Sequence, residues 1–126
     1  MKTLIKGNIE KFVPVFGASL NKNAVFTLTD SGNISMTADT GFSGGIALPA
    51  KILEKMNIEL VDYDTFRLAT GKIIELPVFI GKVVVKNHEV ETWFIPGDFL
   101  LGMEFLSSAG SALLLNFKED DIRLME

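Results

Sequence analysis

Runs of β-branched and aromatic residues, separated by turn-forming residues, occupy most of the chain, and Val90–Ile95 is a typical example. Such runs predict strands. Residues 4–15 favour an edge strand because they include Pro14, which lacks the N–H that a central strand needs. Only residues 50–56 and 104–108 favour helices. The sequence therefore predicts an all-β fold of the small-barrel or sandwich class, with one or two short helices.

Composition excludes several classes of function. The 126 residues suit a single domain, residues 1–126, with a core of its own. The net charge of −4, without a Lys/Arg cluster, argues against nucleic acid as a partner. The absence of cysteine excludes disulfides and thiolate catalysis, and the lone His88, in a predicted hairpin turn, cannot build a His-rich metal site. We therefore expect neither a metal nor a cofactor.

The first residues of the chain bear on its location. Charged residues interrupt Met1–Gly7 too early for a signal peptide. No apolar run elsewhere in the sequence reaches the length that spans a membrane. We therefore expect a soluble, cytoplasmic protein without a membrane partner.

Asp39 is the strongest candidate for chemistry, because it stands where a predicted strand meets a glycine-rich turn. Residues 34–38 alternate between apolar and polar side chains, which predicts a half-buried strand. Gly41, Gly44 and Gly45 follow, and glycine lets the backbone turn sharply and approach another chain closely. Two interpretations of this stretch are open: a site of chemistry, or an Asp-Gly-type turn capped by its own side chain.

Four sequence landmarks occur in an order that resembles the retropepsin-like aspartic proteases. They are Thr37-Ala38-Asp39-Thr40-Gly41, Leu48-Pro49, Leu68-Ala69-Thr70-Gly71 and Leu100-Leu101-Gly102-Met103. The family pattern is apolar-apolar-Asp-Thr-Gly, then Leu-Pro with a helix, a flap hairpin and apolar-apolar-Gly. The resemblance covers roughly residues 33–117. Two positions depart from the pattern, since Thr70 replaces a frequent aspartate and Phe42 replaces a small residue.

The resemblance implies a retropepsin-like acid protease half-barrel and an aspartic endopeptidase. The implied catalytic residues are Asp39, Thr40 and Gly41. A pair of Asp39 carboxylates, one from each subunit of a homodimer, would share a proton and activate the water that hydrolyses the peptide bond. Thr40 would hydrogen-bond the opposite subunit's loop, and Gly41 would allow the substrate to approach closely. The implied partners are a second copy of the chain and an extended peptide or unfolded protein.

The resemblance also implies a flap, formed by the hairpin of residues 66–76, which closes over a peptide bound by strand addition. The implied substrate-binding residues are Leu68, Ala69, Thr70, Gly71, Ile74, Leu100 and Gly102. For Leu68, Ile74 and Leu100, ordinary core packing is an equally open interpretation. Residues 100–102 would pack against the loop that carries Asp39, with Gly102 leaving room for it.

No other aspartate in the chain is followed by Thr-Gly. The remaining six are interpreted as solvated or capping residues in turns or charged runs: Asp30, Asp62, Asp64, Asp98, Asp120 and Asp121. Two alternatives to a protease stay open. One is a catalytically inactive module of the same fold, used for peptide binding or dimerisation, in which Asp39 is a structural turn residue. The other is a small β-barrel that binds a ligand.

Overall fold

A computed structural model describes residues 1–126 and contains eleven strands and two short helices. The strands are β1 (Thr3–Glu10), β2 (Val13–Leu20), β3 (Phe26–Leu28), β4 (Ile34–Ala38), β5 (Ile46–Leu48), β6 (Glu59–Arg67), β7 (Ile73–Val85), β8 (His88–Pro96), β9 (Leu100–Leu101), β10 (Ala112–Asn116) and β11 (Asp121–Met125). The helices are α1 (Ala50–Leu53) and α2 (Met103–Ala109). The predicted all-β class with one or two short helices is therefore confirmed.

All eleven strands belong to one sheet, and part of that sheet closes on itself. Its order is β10-β11-β1-β2-β3-β7-β8-β5-β9-β4, and β2 also pairs with β4. Seven strands, from β2 round to β4, thus form a closed ring, which removes the unpaired edges of those strands. β1, β11 and β10 extend the sheet outward from β2, while β6 is attached only through β7.

Three predicted boundaries are wrong. The edge strand expected over residues 4–15 is the hairpin β1–β2, which lies inside the sheet order and turns at Lys11-Phe12 with positive φ at both residues. The first helix ends at Leu53 rather than at Met56, because the N–H groups of Lys55 and Met56 bond to carbonyls three residues back, which closes the helix with a tighter turn. The hairpin turn predicted at His88 lies one residue earlier, and His88 begins β8 as an exposed residue.

The core fills the ring with side chains from alternate positions of its strands. Its largest fully buried members include Phe16, Phe26 and Phe94 from strands, and Phe105 from α2. Alternation between buried and partly exposed residues along β3, and along β4 from Met36 to Ala38, follows from the two-residue period of a strand. Neither helix is long and apolar enough to cross a membrane.

Asp121 differs from the sequence interpretation, because it is buried rather than solvated. It is 7% exposed at the start of β11. One of its carboxylate oxygens lies 3.4 Å from Nη2 of Arg123 and 3.8 Å from Nζ of Lys6. The interpretation of Asp121 as a surface capping residue is therefore wrong, and its partners compensate part of the cost of burying the charge.

Replacing Phe105 by alanine should lower the free energy of unfolding by about 3–5 kcal/mol, because the change opens a cavity in a well-packed core. Phe105 is fully buried, whereas Phe117 is 75% exposed and offers a matched control. Phe117→Ala should change the free energy of unfolding by less than about 0.5 kcal/mol. Urea denaturation of both variants checks the prediction, and equal effects would contradict it.

Candidate active site

Two distant segments of the chain meet at Asp39. β4 runs parallel to β9, with Thr37 opposite Leu100 and Ala38 opposite Leu101. Directly after this pairing, the N–H of Asp39 donates to the carbonyl of Leu101 at 2.9 Å. The first and last of the four sequence landmarks therefore lie side by side, joined by backbone hydrogen bonds.

The side chain of Asp39 caps its own turn. Its Oδ1 accepts the N–H of Gly41 at 2.9 Å. The main-chain carbonyl of Asp39 accepts the N–H of Phe42 at 3.2 Å. Asp39 is half-buried, while Thr40 and Gly41 are exposed. No hydrogen bond or ion pair within the chain engages Oδ2 of Asp39. This oxygen is therefore available to a water, a substrate or a second carboxylate.

Gly102 lies against the loop that follows Asp39, as the resemblance implies. Its N–H donates to the carbonyl of Gly45 at 2.7 Å, and the N–H of Met103 donates to the carbonyl of Phe42 at 2.8 Å. A Cβ atom added at Gly102 would lie 2.1 Å from the carbonyl oxygen of Gly44 and 2.8 Å from the ring of Phe42. Only glycine fits here, and the residue after β9 thereby sets the position of the loop.

The predicted flap is an exposed hairpin made of β6 and the first part of β7. The N–H of Leu68 donates to the carbonyl of Lys72 at 2.8 Å, and Gly71 has a φ of +89° at the tip. Leu68 is 42% exposed, and the rest of the tip, Ala69 to Gly71, is exposed as well. Ile74 on β7 is half-buried. The predicted binding residues thus form two groups, one at this tip and one, Leu100 with Gly102, beside Asp39.

A cleft of about 490 Å³ lies between the loop after Asp39, the strand β8 and the base of the hairpin. We call it the hairpin cleft. It is lined by Phe42, Ser43, Gly44, Gly45, Val61, Asp62, Asp64, Phe66, Val78, Trp93, Ile95 and Glu104. Its volume is typical of small-ligand sites, which run from roughly 300 to 1,000 Å³. None of the substrate-binding residues predicted from the sequence lines it.

The sequence interpretation placed Asp62 and Asp64 in turns or charged runs, and the structure places both in β6. This strand is stabilised by its pairing with β7, which overrides the weak strand preference of aspartate. Both residues are exposed, as predicted, and each carboxylate accepts the N–H of the next residue. Asp62 precedes Phe66 by four residues and Asp64 precedes it by two. In a strand this spacing places all three side chains on one face, and the sequence alone could have shown it.

A second groove, of about 390 Å³, begins at Thr40. It is lined by Thr40, Met103, Leu106, Ser107, Gly110, Ser111, Ala112, Leu113 and Leu124. Its walls come from α2 and β10, and β10 pairs only with β11, so one edge of β10 is unpaired. We call this surface the Thr40 groove.

No three His, Asp or Glu side chains lie close enough to hold a metal ion. The site therefore consists of one carboxylate in a tight turn, a mixed apolar and acidic cleft that includes Phe42, and a largely apolar groove that includes Thr40. Such a carboxylate can accept or deliver a proton at a bound substrate. No protein-family model, curated protein or solved structure matches the chain.

Proposed function

We propose that this protein is a retropepsin-like aspartic endopeptidase that acts as a homodimer on extended peptides or unfolded proteins. The observation that supports it best is the backbone pairing that brings Asp39-Thr40-Gly41 beside Leu100-Leu101-Gly102. A carboxylate at the junction of two parallel strands, in a loop that lines one cleft together with the base of the β6–β7 hairpin, suits hydrolysis of an extended chain.

The proposed mechanism needs two carboxylates that share one proton. One Asp39 takes a proton from a water, which attacks the carbonyl carbon of the peptide bond, while the other donates a proton to the carbonyl oxygen. The tetrahedral intermediate then collapses and the C–N bond breaks. The Asp39 that took the proton from the water gives it to the leaving amine, and the other Asp39 takes a proton back from a hydroxyl of the intermediate. One chain supplies one aspartate in this loop, so the second comes from another copy across a two-fold axis.

The Thr40 groove supports the dimer. Thr40 is exposed directly beside Asp39, and Met103 and Leu106 of the same groove come from the helix that follows Gly102. Met103 is 42% exposed although it is apolar. A second copy seated here would cover the exposed side chains of Thr40 and Met103 and bring the two Asp39 loops together. The β6–β7 hairpin would close over the peptide and exclude water from the carboxylates.

A second candidate is an inactive module of the same fold that binds peptides or dimerises. The hydrogen bond from Gly41 N–H to Oδ1 of Asp39 favours it, because stabilising the turn is by itself a sufficient role for this carboxylate. In that case Asp39 stabilises the turn and no water is activated.

Mixing subunits separates a shared active site from two independent ones. At the same total protein concentration, an equal mixture of wild-type and Asp39→Asn chains should have about a quarter of the activity of the wild type alone, because random pairing leaves only that share of dimers with two aspartates. Independent sites would instead retain about half. Cleavage of a casein-like substrate is measured after the subunits have equilibrated, and analytical ultracentrifugation gives the mass. A stable monomer at micromolar concentration would contradict the mechanism.

A further inference from the structure

The hairpin cleft has an acidic lining that no basic residue compensates. Asp62, Asp64 and Glu104 all line it, and its other nine residues include no Lys, Arg or His. None of the three acids belongs to an ion pair, since the pairs in the structure involve Asp121 and Glu89. The cleft therefore has a negative potential that a cation would neutralise.

The acids stand on different walls. Asp62 and Asp64 project from one face of β6, whereas Glu104 lies in the first turn of α2. Oε2 of Glu104 accepts the hydroxyl of Thr92 at 2.8 Å, and Thr92 is only 1% exposed. A hydrogen bond to a buried side chain therefore fixes the position of this carboxylate. Acids on different elements of the lining can contact a charged group that extends into the space between them.

Aromatic side chains supply the remaining walls. Phe42, Phe66 and Trp93 line the cleft together with aliphatic residues, and Trp93 leaves 42% of its surface exposed. Lysine and arginine carry a long apolar stem that packs on such surfaces, and their charged heads bind both carboxylates and aromatic faces. A basic side chain therefore matches both the apolar and the acidic parts of the lining.

We propose that the hairpin cleft selects a lysine or arginine side chain of the bound peptide, and this selection rests on the proposed function. The cleft begins at Phe42, in the same loop as Asp39, so a peptide lying along the loop places one side chain in it. Asp62, Asp64 and Glu104 are the specificity-determining residues.

Protection of an exposed edge is the competing explanation for charges on β6, because charged edge strands resist pairing with other chains. It accounts for Asp62 and Asp64. It does not account for Glu104, which belongs to a helix, or for the partly exposed ring of Trp93 beside them. Selection of a basic side chain accounts for all four.

Peptide binding tests the proposal without any need for cleavage. Trp93 is the only tryptophan in the chain and lines the cleft, so its fluorescence reports on this site. The Asp39→Asn protein is titrated with three short extended peptides that differ only in having Lys, Met or Glu at one central position. The Lys peptide should bind about tenfold more tightly than the Met peptide, as expected for a charge-assisted contact, and the Glu peptide should bind most weakly.

Variants of the lining identify the source of the preference. Asp62→Asn with Asp64→Asn, or Glu104→Gln alone, should reduce the Lys-over-Met ratio at least about threefold, since each removes charge but keeps an acceptor oxygen. Asp64→Lys should reduce the preference for the Lys peptide over the Glu peptide more than Asp64→Asn does, because it removes one negative charge from the lining and adds a positive one. Glu119→Gln is the matched control, because this exposed carboxylate lies in the β10–β11 turn and outside the cleft, and it should leave the ratio unchanged.

The two proposals fail in different ways. Equal binding of the three peptides, or a preference that the Glu104 and β6 variants do not change, overturns the selection of a basic side chain. Cleavage by the wild type without any preference for basic residues overturns it as well and leaves the protease intact. Selective binding by the Asp39→Asn protein, with no cleavage by the wild type, supports the selectivity and overturns the protease.

Discussion

An Asp39→Asn protein is expected to fold normally and to cleave an unfolded, casein-like substrate roughly 10²–10⁴-fold more slowly than the wild type, the range typical for loss of a general acid or base. Oδ1 of Asp39 accepts the N–H of Gly41, and the amide oxygen of asparagine can accept the same bond. The turn is therefore kept while the ability to exchange a proton is lost. Initial cleavage rates and thermal unfolding, measured on the same preparations, check both parts.

Two further variants give this experiment its controls. Asp98→Asn removes an exposed aspartate that is not followed by Thr-Gly, and it should leave the cleavage rate unchanged. Asp39→Ala removes the acceptor of the turn as well, and it should lower the free energy of unfolding by about 0.5–1.5 kcal/mol, the usual worth of one hydrogen bond. Unchanged cleavage by Asp39→Asn, with destabilisation by Asp39→Ala alone, would assign Asp39 to the turn and remove it from the mechanism.

A Gly102→Ala protein is expected to lose both stability and function. The new Cβ atom would lie 2.1 Å from the carbonyl oxygen of Gly44, which is backbone and cannot rotate away. The segment must shift, at a cost of about 1–3 kcal/mol in the free energy of unfolding. Because Gly102 also donates to the carbonyl of Gly45, the shift reaches the loop after Asp39 and the floor of the hairpin cleft. Urea denaturation and the cleavage rate both report the change.

Gly97→Ala is the matched control for this substitution. A Cβ atom at Gly97 meets only the Cβ of Ala47, at 3.3 Å, so the variant should unfold near the wild-type urea midpoint and keep its activity. A Gly102→Ala protein with wild-type stability and cleavage would show that the loop after Asp39 can move away from the new Cβ atom without loss of stability. The position of that loop would then not depend on Gly102.

Much of the secondary structure was predictable because it depends on neighbours in the sequence. Alternating residues at 34–38 predict β4, and the glycines after Asp39 predict the turn that Asp39 caps. The hairpin at Lys11-Phe12 was missed because its two residues have positive φ without the Asn or Gly that usually marks such a turn. The local signal was absent there, although the geometry is ordinary for a hairpin.

The hairpin cleft was not predictable from single segments. Asp62 and Asp64 suggested a solvated run, and Glu104 suggested only the start of a helix, yet the fold brings all three to the lining of one cleft, together with Trp93. Asp121 likewise is buried in β11, the strand that lies between β1 and β10 in the sheet. Burial and facing positions depend on which strands pair, and pairing partners lie far apart in the sequence.

The sequence by itself determined the all-β class, the two short helices and a tight turn at Asp39, because each follows from side chains a few residues apart. Only the tertiary structure decided that the N–H of Asp39 meets the carbonyl of Leu101, and that Gly102 has no space for a side chain. These contacts join segments that lie far apart in the sequence, so the local sequence of one segment contains no information about the other. Closure of the seven-strand ring selects them, since it pairs β4 with β9 and so brings the two loops into one site.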